Sequence, residues 1–137
     1  LVIFAHPRHP LAGKKNIPLE QLLRERIISR EAGSGIRMTF ERLLTEKELK
    51  IEPYMELGSG EAIKQAVMSG IGIAMLSTFS LKLELESERL VLLDVEGLPI
   101  RRNWYAVHRK GKHLTPAALK FIEFLQTVDE GQLREEL

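Results

Sequence analysis

Two serines in this chain stand between glycines: Ser34 in Gly33-Ser34-Gly35 and Ser59 in Gly58-Ser59-Gly60. Each triplet follows an apolar run and precedes a stretch of helical periodicity. A serine at such a corner caps a helix by accepting a hydrogen bond from a first-turn amide. Its glycine neighbours let the backbone come close to a ligand. The start of a helix also presents unpaired N–H groups and a partial positive charge. Two such ends brought together would hold a carboxylate or a phosphate, whereas each taken singly is an ordinary cap. Arg37 and Glu61 fall in the first turns after the two serines. Glu61 suits the helix dipole without any ligand. Arg37 opposes the dipole, which makes it the better candidate for an anion contact. Glu31 and Glu56 precede the loops and either accept hydrogen bonds from a hydroxylated ligand or face water.

Other chemistries fail on residue type or spacing. The second corner lacks the third glycine of a dinucleotide fingerprint, because Ile63 stands there, and neither loop continues into a P-loop. Neither serine lies in the G-x-S-x-G elbow of a hydrolase. His6 and His9 are three apart in a proline-rich loop with no acid nearby to complete a metal set. His108 and His113 flank a basic turn with Arg109 and Lys110, and Arg101 and Arg102 precede it. With a net charge of +1, that region reads as a solvated strand end rather than a nucleic-acid surface. Trp104 and Tyr105 read as packing residues. No catalytic set and no metal site emerge, and no cofactor is implied.

The elements that must position the corners alternate in type. Apolar runs at Leu1–Ala5, in "RIIS", in "KIEPYMEL", in "IGIAML" and in "LVLLDVEG" read as strands, and "RRNWYAVHRKG" alternates like another. Pro53 marks its strand as an edge or an entry. Pro18 opens a helix carrying Leu19, Leu22 and Leu23. Ile36, Phe40, Leu43 and Leu44 form the stripe of a second helix, and Lys47 closes that stripe. Ala62, Ile63, Ala66 and Val67 share a face of a third, which Gly70 ends. Residues 77–90 read as a crossover helix capped by Ser77 or Thr78 and burying Phe79 and Leu83. Thr115-Pro116 opens a last helix burying Ala118, Phe121, Ile122, Leu125 and Val128. Strands alternating with helices define an α/β sheet covered on both faces. In such sheets ligands sit beyond the carboxyl ends of the strands, where both corners fall.

The 137 residues suit one domain or part of one, and 44% hydrophobic with 28% charged content is that of a globular chain. The absence of cysteine excludes disulfides and thiolate chemistry and fits a reducing compartment. There is no apolar run of bilayer length and no signal pattern. The chain opens inside a strand without an initiator Met, so it reads as a piece of a longer protein.

The stretches "REAGSGIR", "MELGSGEAIKQAVMSGIGIAMLS" and "LPIRRNWYAVHRKGKHLTPAALKFIEFL" resemble, in that order, the effector-binding domain of LysR-type transcriptional regulators. "HPRHPLAGKKNIPLEQL" is similar to the family's crossing segment. The likeness covers residues 1–128 and is strongest to the branch that controls carbon-fixation operons. It implies a periplasmic-binding-protein-like (type 2) fold of two Rossmann-like subdomains, with a mostly parallel mixed sheet and the ligand in the cleft between them. By this likeness residues 16–100 are the second subdomain, residues 1–10 and 101–128 are parts of the first, and residues 129–137 are a polar tail. The cleft residues it implies are Ala5, His6, Gly58, Ser59 and Gly60, with Glu31, Gly33 and Ser34 bordering them. It further implies a phosphorylated sugar, carboxylate or related central metabolite as effector. It also implies a homodimer or tetramer formed through this domain, no membrane, and a cytoplasmic location. DNA would be bound only by a winged helix-turn-helix that lies outside this chain. Two departures, the missing glycine in "TEKELKIEP" and the alternation at Leu81–Leu85, bear on boundaries. Three alternatives stay open: a transporter's solute-binding protein, a dehydratase of the same fold, and a dimerisation module. The dehydratase needs a catalytic Thr or acid in the cleft, and the sequence shows no paired acid and base.

Overall fold

The computed structural model describes residues 1–103 and 105–127. They fall into two units, Leu1–Arg101 and the residues from Arg102 on. The first unit is built on a five-stranded sheet of β1 (Val2–Ala5), β2 (Ile27–Arg30), β3 (Met55–Leu57), β4 (Ile73–Leu76) and β5 (Val91–Leu92), in the order β3-β2-β4-β1-β5. β2 pairs in parallel with both β3 and β4, while β1 runs antiparallel to β4 and β5. The sheet is therefore mixed in equal parts rather than mostly parallel.

All four residues of β1 are buried, as are all four of β4. Central strands covered on both faces need continuous apolar runs, and "VIFA" and "IAML" supply them. Successive residues point to opposite faces, so each strand feeds two cores. Ile3, Ala5, Ile27, Ile73 and Met75 pack with Phe40, Leu44, Leu19 and Leu22. Val2, Phe4, Ile28, Ala74 and Leu76 pack with Ile63, Ala66, Val67 and Leu81. The first set holds α1 (Leu19–Leu22) and α2 (Gly35–Thr45), and the second holds α3 (Gly60–Met68). Each fully buried Leu, Ile or Phe side chain contributes about 1.5–3 kcal/mol, so these stripes rather than helix propensity hold the helices.

α2 carries the chain from β2 out to the edge strand β3, and α3 returns it to β4 on the far side of β2. Pro53 precedes β3, and the strand begins only at Met55. Lys47 lies past the end of α2 and pairs with Glu96 at 2.8 Å. Pro18 is the N-cap of α1 rather than its first residue. The crossover from β4 to β5 is helical, but in two pieces: a 3-10 turn at Thr78–Leu81 and α4 (Lys82–Glu86). The residue it buries is Leu81, not Phe79 or Leu83, which are 52% and 74% exposed. The phase of a two-turn segment depends on where the tighter turn stops, and the alternating leucines do not fix that point.

β1, within residues 1–10, lies between β4 and β5. The described residues of the expected strand at 101–111 form no strand, because a strand exists only through hydrogen bonds to a neighbour. Tyr105 is 77% exposed there rather than packed, and Trp104 lies outside the described residues. α5 (Pro116–Thr127) forms where expected, yet buries none of its residues. Phe121 and Leu125 are exposed, and Ala118 and Ile122 are half-buried. Val128 and the tail at 129–137 lie outside the described residues.

Candidate functional site

β2 and β3 run side by side and end in register, with Arg30 opposite Leu57. Neighbouring strands lie about 4.8 Å apart, so the two serine corners leave the sheet next to each other at one end. Ser34 is the N-cap of α2, and its Oγ accepts from the Ile36 amide at 3.3 Å. Ser59 is the N-cap of α3, and its Oγ accepts from the Ala62 amide at 3.4 Å. Both are caps, as the sequence allowed, with long bonds. The amides of Gly35, Arg37, Gly60 and Glu61 have no acceptor among the described residues, as expected for the first turn of a helix.

The glycines of the two corners differ in their physical justification. Gly33 has φ +86°, a conformation that disfavours any side chain. Gly58 and Gly60 have no such φ. A Cβ at Gly58 would meet nothing within 4 Å, and one at Gly60 would touch only the Leu76 side chain at 3.9 Å. The chain's own packing therefore does not call for glycine at the second corner, although a closely approaching ligand would.

The charged residues around the corners are engaged with one another. Arg30 donates to Glu31 through two bonds of 2.7 and 2.8 Å. The Arg30 guanidinium holds the Glu31 carboxyl below the usual carboxylate range, and Glu31 in turn raises Arg30. Arg37 pairs with Glu41 and with Glu56, each at 2.7 Å, and hydrogen bonds to both push its pKa up. Arg37 is thus engaged by carboxylates rather than standing free, and Glu31 and Glu56 each already accept from an arginine. On α3, Lys64 joins Glu61 at 2.9 Å and Glu84 at 2.7 Å, and the bond from Lys64 lowers the Glu61 pKa. With the cations so engaged, backbone amides and the serine hydroxyls are donors available at this end of the sheet.

Ala5 and His6 lie elsewhere. β1 runs against β4, with Val2 beside Leu76 and Phe4 beside Ala74, so the carboxyl end of β1 lies at the opposite end of the sheet from the corners. Ala5 is fully buried, and the His6 Nδ1 accepts from the Arg8 amide at 3.0 Å. The structure brings Gly33, Ser34, Gly58, Ser59 and Gly60 together, with Glu31 beside them, and separates Ala5 and His6. Ser77 and Thr78, the candidate caps of the crossover, leave the carboxyl end of β4 on the corner side. Ser77 makes no capping bond and is half-buried. His9 lies 3.5 Å from Glu25, and no group of three metal-ligating side chains occurs among the described residues. A depression of about 920 Å³ is lined by residues 107–112 and Leu114 of the basic turn and contains neither corner.

An α/β sheet with helices on both faces and paired helix starts beyond adjacent strand ends defines a small-molecule sensing or binding domain of the periplasmic-binding type. The LysR substrate binding domain profile matches residues 1–130, and the chain belongs to that family. It is 50% identical over 125 residues to the RuBisCO operon transcriptional regulator of Allochromatium vinosum, covering 91% of this chain and 41% of that protein. It is 46% identical over 131 residues to the HTH-type transcriptional activator CmpR of Synechocystis, covering 96% and 43%. The chain therefore spans about two fifths of the relatives' length. These relatives are transcriptional regulators, not enzymes, and they fall in the expected carbon-fixation branch. Among solved structures, the Synechocystis CcmR regulatory domain in complex with 2-PG superposes with a TM-score of 0.86 at 40% identity, covering 94% of this chain and 62% of that one. The effector-binding domain of QuiR in complex with shikimate shares the fold, with a TM-score of 0.74 at 21% identity over 90% of this chain and 57% of that one. Among the described residues, no helix is long and apolar enough to cross a membrane.

Proposed function

We propose that this chain senses a small phosphorylated carboxylate for a regulator of carbon-fixation genes, and that the paired serine corners hold its anionic group. The observation that carries this is the second corner: uncapped amides at Gly60 and Glu61 flanked by glycines that the fold itself does not require. Amides of this kind bind anions without a side-chain cation. The first corner, with Glu31, Gly33 and Ser34, lines or braces the same end. The 2-PG bound by the CcmR domain, 2-phosphoglycolate, is a ligand of the right charge. In this reading residues 102–127 belong to the opposing subdomain, and binding shifts the population between open and closed arrangements. A homodimer or tetramer formed through this domain would pass that shift to a winged helix-turn-helix on DNA, in the cytoplasm.

Calorimetric titration of the full-length protein tests this reading. The panel is 2-phosphoglycolate, ribulose 1,5-bisphosphate, phosphoenolpyruvate and the uncharged control glycolamide. Binding of a phosphorylated member that weakens in Ser59→Asp is expected. A folded protein that binds none of them would leave both corners as helix caps and favour the dimerisation module.

A further inference from the structure

We propose that Arg37 is a clamp that fixes the separation of the two serine corners and is thereby a positioning residue for the anion site. This inference rests on the reading of that site given above. Arg37 occupies the first turn of α2, where the helix dipole disfavours a cation. Its side chain is nonetheless only 16% exposed. Nε donates to Glu41 Oε1 at 2.7 Å, one turn further along α2. Nη1 reaches Glu56 Oε1 on β3 at 2.7 Å and the Arg30 carbonyl oxygen at the end of β2 at 3.3 Å. One guanidinium thus ties together α2 and the ends of both strands. The ladder between β2 and β3 stops at Arg30 and Leu57, and beyond that rung the chain diverges into the two corners. Arg37 bridges the strands at the rung where support from the sheet ends.

Chemistry also favours a clamp over a simple counter-charge. A guanidinium is a rigid planar fork that bonds in several directions at once, whereas an ammonium is a point charge on a flexible stem. Glu56 lies two residues before Gly58, so its hold on Arg37 fixes the approach to the second corner. The same contact keeps two carboxylates, Glu41 and Glu56, turned onto a cation rather than toward the space where an anion would sit.

The test is amide hydrogen exchange on the full-length protein, with no ligand, in Arg37→Met, Arg37→Lys and Glu56→Gln. The clamp predicts roughly tenfold faster exchange of the Ile63 amide, which is bonded to the Ser59 carbonyl oxygen at 3.1 Å, in Arg37→Met, although the substitution lies on the other helix. Glu56→Gln, at a half-exposed position that the fold tolerates, weakens the same bond by removing its negative charge and accelerates the same amide. Unchanged exchange at Ile63 in that variant overturns the proposal. Titration with 2-phosphoglycolate adds the second readout. Arg37→Lys, which keeps the charge and loses the fork, is expected to bind about tenfold more weakly, and wild-type affinity in that variant also overturns the clamp. Accelerated exchange in Glu56→Gln combined with undiminished binding in Ser59→Asp would leave the clamp standing and refute the site instead.

Discussion

Ser59→Asp separates a serine that only caps a helix from one that also faces a ligand. Aspartate caps about as well as serine, so stability should move by less than about 0.5 kcal/mol. The present cap bond to the Ala62 amide is 3.4 Å long, which leaves little to lose. The effect on an anion is of another size. Ser59 is exposed, so the solvent-side limit applies, about 1 kcal/mol for two unit charges 4 Å apart. Against a dianionic phosphate the added carboxylate costs about 2 kcal/mol, or roughly thirtyfold in affinity. Thermal unfolding and titration with 2-phosphoglycolate, run on the same preparation, give both numbers. Unchanged melting with unchanged affinity would refute the reasoning, because a carboxylate at the N-cap cannot be neutral toward an anion held by the neighbouring amides.

Three further expectations concern the frame. A Cβ at Gly72 would run into the Arg26 carbonyl oxygen, which accepts from the Ile73 amide at 2.9 Å, so Gly72→Ala should destabilise by about 1–3 kcal/mol in denaturant unfolding. Leu81 is fully buried and Leu83 is 74% exposed, so Leu81→Ala should cost about 2–5 kcal/mol and Leu83→Ala less than about 0.5. Glu31 and Glu61 have pKa values lowered by their cation partners in the folded state. Their stabilisation is complete above the unfolded carboxylate range and is lost as pH falls through the lowered values. Acid unfolding of Glu31→Gln should therefore be less steep than that of the wild type.

The sequence carried the two corners plainly, because cap chemistry is local: a serine, its glycines and the following apolar stripe lie within a few residues. The central strands were equally legible, since burial on both faces demands runs such as "VIFA" and "IAML". What failed depends on partners distant in sequence. The direction of β1 is set by pairing with β4, some seventy residues away, and nothing in "LVIFAHP" says whether its carboxyl end meets the corners. That pairing sets Ala5 and His6 at the other end of the sheet from the corners. The engagement of Arg37 by Glu56 depends on β3 lying beside β2, so the residue looked free when only its own helix was in view. The segment 101–111 has strand-like alternation, yet alternation describes one strand's faces and says nothing about whether a neighbour exists.

The most direct test of the central claim is an amide-resolved NMR titration of the full-length protein with 2-phosphoglycolate. The account predicts the largest shifts at Gly58, Ser59, Gly60 and Glu61, with smaller ones at Ser34, Gly35 and Ile36. Shifts centred instead on His6 and Arg8, at the other end of the sheet, or the absence of shifts at both corners under saturating ligand, would contradict it.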